Sequence, residues 1–144
     1  MPDECSLCHP DLAPKLMTSE AWMLILNHNQ NLLGKCFLAL NRHLEAVTAL
    51  TTEEWLDLQV HLRRATDMLI SAFQPDHFNY AFLQNQDRHV HLHIMPRYAA
   101  PRTFGGSTFI DPDYPSHYAV PAPVHRLPTG QFAALAGYLQ QRLQ

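Results

Sequence analysis

Residues 22–26 form an unbroken apolar run between polar neighbours, which has the length and composition of a buried β-strand. Asn27 to Asn31 is a polar turn, and Gly34 opens a second apolar stretch through Cys36, Phe37, Leu38 and Leu40. The two read as an antiparallel hairpin with a long loop. Asn41-Arg42-His43 closes the second strand and leaves His43 at the end of the sheet. Further on, Thr51 and Glu54 have the spacing of a capping box. Trp55, Leu58, Leu62, Ala65 and Leu69 then recur every three or four residues. This predicts an amphipathic helix running to about Phe73, with Pro75 beyond its end. Residues 78–83 alternate as a strand, with Phe78, Tyr80 and Phe82 on one side, and 84–88 form a polar turn. Residues 98–128 have no clear period. From Thr129 to Leu143 the stripe of Phe132, Leu135, Leu139 and Leu143 predicts a terminal helix.

The clearest alternation lies at 89–94, where His89, His91 and His93 interleave with Val90, Leu92 and Ile94. A two-residue period points the apolar residues into a core and three imidazoles to the opposite face. A strand that needed only polarity there would use Thr, Lys or Glu, so three histidines on one face point to chemistry. Pro96 has no N–H for a ladder and predicts a strand end or an edge. Arg97 then offers a positive charge just past that end.

The composition narrows the reading. The chain has 144 residues, 47% of them hydrophobic and 16% charged, with a net charge of −3. That fits a single domain over 1–144 and gives no electrostatic case for a nucleic-acid polymer or an anionic membrane as partner. The N-terminal residues are acidic and polar, and the apolar run at 21–26 is too short to span a bilayer, so a cytoplasmic protein is expected. Three cysteines, two of them spaced as Cys5-x-x-Cys8, suit a metal or redox pair better than a disulfide framework. Pro10 and Pro14 follow and no strand precedes, which favours two thiolates on a tight turn holding one zinc ion. Such a site needs two further ligands from elsewhere. Cys36, inside a strand, reads as a small buried hydrophobe.

The run of residues 89–95, followed by Pro96-Arg97, resembles the histidine-triad superfamily of nucleotide hydrolases and transferases. Gly34 to His43 followed by a capped helix is similar to the same family, and Cys5-x-x-Cys8 resembles the zinc pair of its zinc-containing members. The resemblance covers about residues 5–98. It implies an α+β fold: an antiparallel sheet of about five strands, one long helix packed on it, and a C-terminal helix after an irregular segment.

The resemblance also implies roles. His91 would be the nucleophile at the α-phosphorus of a nucleotide, and His93 would hydrogen-bond the α-phosphate oxygens. Cys5, Cys8, His43 and His89 would hold a structural Zn2+. Asn27 is similar to a ribose-contacting position, and Asn85 and Gln86 would contact substrate from the turn before the triad. Gln86 stands where many members carry a hydroxyl, and Asp87 and Arg88 follow it. A homodimer with a continuous sheet is implied as well. The expected activity is hydrolysis or nucleotidyl transfer at nucleoside phosphoanhydrides or phosphoramidates, such as dinucleoside polyphosphates. Two other functions fit the residues: a nucleotide-binding scaffold without turnover, and a hydrolase whose three histidines ligate a catalytic metal.

Overall fold

The computed structural model describes residues 5–8 and 14–143. Pro10 lies outside them. Five strands form one antiparallel sheet: β1 (Lys15–Thr18), β2 (Trp22–Leu26), β3 (Cys36–Leu40), β4 (His77–Ala81) and β5 (His91–Arg97). Their order is β1-β2-β3-β5-β4, so the histidine strand is central and β4 is an edge. A long helix α1 (Thr52–Phe73) follows β3, and α2 (Thr129–Gln141) ends the chain. This is the α+β architecture that the resemblance implies. No helix among the described residues is long and apolar enough to cross a membrane.

The sheet has two different faces, as the period of two requires. One face presents Trp22, Leu24, Leu38, Leu92 and Ile94 to the main core, where Leu58, Met68 and Leu69 of α1 and Leu135 and Leu139 of α2 meet them. The other face pairs Ala39 with His91 and Phe37 with His93 across β3 and β5. On that face Cys5 and Leu7 pack over Met23, Ile25 and Ala39. Gly34 is required by its surroundings. It has φ +91°, and a Cβ there would lie 2.6 Å from a Leu69 methyl carbon.

Several expectations need correction. β1 carries no readable pattern, because only Leu16 of its four residues is buried. His89 stands in a bend ahead of β5, not within it. β4 runs from His77 to Ala81 and leaves Phe82 and Leu83 outside. Trp55 is 43% exposed, so the buried side of α1 runs through Leu58, Ala65, Met68, Leu69 and Phe73. The irregular segment holds a hairpin, β6 (Arg102–Phe104) and β7 (Ser107–Phe109), closed by Gly105 and Gly106 at positive φ. Phe109 and α2 join the main core, which therefore extends beyond residue 98.

Pro96 does not end β5. It pairs with Phe78 on β4, while the β3 ladder stops two residues earlier at the Cys36–Ile94 pair. On its β3 side the strand is locally an edge there, and a missing N–H is tolerated. Arg97 is not a free charge past the strand. Its guanidinium donates to both carboxylate oxygens of Asp111, at 2.6 and 3.2 Å, and to Asn79 Oδ1 at 2.9 Å. Both members of the pair are 2% exposed, so the ion pair clamps the 99–128 segment to the sheet.

The junction of β3 and α1 is a polar lock. Thr51 Oγ1 accepts from Glu54 N at 3.1 Å and the Glu54 carboxylate accepts from Thr51 N at 2.9 Å, completing the capping box. Arg42, just past β3, donates to both oxygens of the same carboxylate at 2.7 and 2.9 Å. The Arg42 hydrogen bond, helped by the cap, holds the Glu54 carboxyl down to about 2. A folded value below the unfolded one, about 4.3, means stability that is present above that pH and lost as pH falls toward 2. Glu54→Gln should therefore be less stable than the native chain in urea denaturation at pH 7, and the gap should close below about pH 4. A gap that does not change with pH would contradict this role.

Candidate active site and metal cluster

His91 and His93 lie on consecutive same-face positions of β5, with ring centroids 4.6 Å apart. Phe37, across on β3, packs against both rings. His91 Nδ1 lies 2.7 Å from the His89 carbonyl oxygen. An oxygen acceptor fixes the proton on Nδ1, so the Nε2 lone pair is the one left free. His93 is held neutral: burial first, then the neighbouring His91 and Lys35, push its pKa down to about 4. Both rings line a cavity of about 260 Å3 whose rim is the 83–87 turn, including Asn85, Gln86 and Asp87. A free imidazole nitrogen beside a second neutral imidazole, facing a small polar cavity, can attack an electrophile and hydrogen-bond the oxygens around it. A wider cleft of about 640 Å3 between Phe73, Phe104 and Tyr138 is lined by no histidine, cysteine or carboxylate.

At one end of the same face lies a second cluster. The side-chain donor atoms of Cys5, Cys8, His43 and His89 all lie within 4.8 Å of one another. The short turn Ser6–Cys8 carries one thiol, Cys5 precedes it, His43 follows β3, and His89 precedes β5. Cys5 Sγ is 3.4 Å from His89 Nδ1, and Cys8 Sγ is 3.3 Å from His43 Nδ1 and 3.5 Å from His89 Nδ1. With Zn–S near 2.3 Å and Zn–N near 2.05 Å, a sulfur–nitrogen edge of a tetrahedron is about 3.5 Å, so the spacing fits. The tautomers fit too. His89 Nε2 donates to the Leu40 carbonyl at 2.7 Å, and His43 Nε2 lies 3.4 Å from the Glu45 carboxylate. Each ring thus has its proton occupied on the far side, and its Nδ1 lone pair faces the sulfurs. Burial, the largest influence on it, lowers the pKa of His89 and favours the neutral, ligating form. The cluster fits a four-coordinate metal ion.

No protein-family model matches the sequence, and no curated protein matches it. Solved structures do. A histidine-triad protein from Sinorhizobium meliloti superposes with a TM-score of 0.73 at 17% identity, covering 90% of this chain and 89% of that one. A hypothetical histidine-triad nucleotide-binding protein from Sulfolobus tokodaii gives 0.72 at 14% identity, over 96% and 91%. A zinc-bound histidine-triad family protein from Mycobacterium smegmatis gives 0.69 at 18% identity, over 99% and 95%. The chain has the histidine-triad fold.

Within this histidine-triad fold the three histidines divide their work. His91 and His93 face the cavity, whereas the His89 ring turns to the thiols and only its backbone carbonyl serves His91. Three imidazoles gathered round one catalytic metal is therefore not the arrangement present. Asn27 continues the histidine face at the end of β2. It does not line the cavity, and its Oδ1 accepts from Asn29 N at 2.9 Å. Asn85 and Gln86 are exposed on the rim. Asp87 carries negative charge at that rim and accepts from Ser6 Oγ at 2.8 Å, tying the cavity turn to the cysteine turn. Sequence reading missed two members of this constellation, Ser6 and the buried Lys35. Alternation could have found Lys35, which shares the parity of Phe37 and Ala39.

Proposed function

We propose that the chain is a nucleotide hydrolase or nucleotidyl transferase acting at the α-phosphate of nucleoside phosphoanhydrides or phosphoramidates, dinucleoside polyphosphates among them. The observation that carries this reading is the fixed tautomer of His91, whose Nε2 is free beside the cavity. Nε2 attacks the α-phosphorus, a P–N bond forms, and the bond to the leaving phosphate or amine breaks. Water then attacks the same phosphorus, the P–N bond breaks, and a nucleoside monophosphate leaves with His91 restored. Phosphoryl transfer of this kind depends on positioning and charge stabilisation. His93 hydrogen-bonds the α-phosphate oxygens, Asn85 and Gln86 meet the leaving side of the substrate, and Asn27 meets the ribose.

Cys5, Cys8, His43 and His89 hold one structural zinc ion in this reading. Zinc supplies cross-linking of the N-terminal turn to the strand that carries His91 and takes no part in the reaction. The working form is a homodimer. β4 is the edge strand of the sheet, and Tyr80 on it and Trp55 on α1 are exposed large hydrophobic side chains. Tyr80 OH lies 2.9 Å from Thr66 Oγ1 of α1, which ties the edge strand to the helix.

Three measurements check these statements. His91→Ala should keep nucleotide binding and metal content while losing release of nucleoside monophosphate from diadenosine polyphosphates; undiminished product release would refute the nucleophile. Metal analysis of the purified chain should give about one equivalent of zinc, falling well below half in Cys8→Ser. A folded, zinc-free native protein would count against the site. Sedimentation should give a dimer that Tyr80→Glu converts to monomer, and a native monomer at working concentrations would remove the dimer from the account.

A further inference from the structure

Lys35 lies one residue ahead of β3, with the parity that places Phe37 and Ala39 on the histidine face. Its carbonyl accepts from Asn27 N at 3.1 Å, and the next residue, Cys36, pairs with Ile94 of β5, so Lys35 is a diagonal neighbour of His93. The side chain is only 7% exposed. Its ammonium donates to Asn31 Oδ1, a neutral amide, and among the described residues it has no other hydrogen-bond partner and no carboxylate in ion-pair range. An ammonium has three donors, so two are left unused. A buried charge without a counter-charge is costly to keep, and burial brings the Lys35 pKa down to about 8, which leaves it mainly protonated at neutral pH.

The other charges near the cavity sharpen the point. His93 is neutral at pH 7, and Asp87 adds a negative charge at the rim. Arg97 is engaged by Asp111, and Arg88 is exposed on the turn. Lys35 does not itself line the cavity, but its positive charge helps lower the His93 pKa. Among the described residues, Lys35 is therefore the buried cation of the histidine face that has no counter-charge, and an anion bound there would supply one.

We propose that Lys35 is the anion-binding cation of this site: its ammonium, carried on the strand position diagonal to His93, takes up the negative charge of the phosphate group that a substrate brings to the histidine face. The inference rests on the reaction proposed for His91 and names the substrate feature that the site selects. Phosphate-bearing nucleotides bind through Lys35, and neutral nucleosides gain nothing from it.

The test is calorimetric titration of the full-length protein with AMP, adenosine and inorganic pyrophosphate, in the native chain and in Lys35→Met and Lys35→Arg, alongside thermal melts. Lys35→Met should melt no lower than the native chain, bind AMP and pyrophosphate about ten-fold or more weakly, and bind adenosine unchanged. Lys35→Arg, which keeps the charge, should recover part of the lost affinity. Four results would overturn the proposal: AMP binding unaffected by Lys35→Met, AMP and adenosine weakened alike, a Lys35→Met protein that melts lower or fails to fold, or a native chain that binds neither AMP nor pyrophosphate. The two proposals separate cleanly. If the native chain turns over diadenosine polyphosphates while Lys35→Met binds AMP normally, Lys35 is wrong and the reaction stands. If pyrophosphate binding depends on Lys35 but no nucleotide is cleaved, the anion site stands and the reaction is wrong.

Discussion

The arrangement depends on what His89 does with its two ends. Its backbone carbonyl accepts the Nδ1 proton of His91 at 2.7 Å and thereby decides which nitrogen of His91 is free. Its ring, anchored through Nε2 to the Leu40 carbonyl, directs Nδ1 at two thiols. One residue therefore joins the cysteine–histidine cluster to His91 through about the shortest path a chain allows. Any shift of the 5–8 turn would move the carbonyl that sets the His91 tautomer. Ser6, which holds Asp87 on the cavity rim, is a second link between the same two regions.

The electrostatics follow from burial on a sheet that has two covered faces. Between Phe37 and the cavity turn the buried His93 imidazole loses water and stays neutral, which suits a hydrogen-bonding neighbour of His91. Arg97 is paired by Asp111 and Arg42 by Glu54, whereas the buried Lys35 ammonium meets only the Asn31 amide among the described residues. The paired ones fasten strands to helix and tail.

Much of this was legible in the sequence because it is local. The alternation at 89–94 predicts that Val90, Leu92 and Ile94 enter the core, and they do. The capping box is read from two residues three apart. The four metal-cluster residues came from a family resemblance, and the fold brings them together across 84 residues of chain. What could not be read is what depends on distant partners. Arg97 meets a carboxylate 14 residues later, inside a segment without period. β1 has four residues and one buried side chain, too few to carry a pattern. Trp55 fits the helical spacing of the core stripe yet lies on the flank toward Phe82, because spacing fixes a face only to within a residue or so.

The most direct test of the account is intact-mass analysis of the protein after brief reaction with a dinucleoside polyphosphate, quenched at mildly alkaline pH, followed by mapping of the modified atom. The account predicts a nucleotidyl adduct on His91 joined through Nε2, since Nδ1 is held by the His89 carbonyl. An adduct on Nδ1, on another residue, or release of nucleoside monophosphate with no adduct at any time would contradict it.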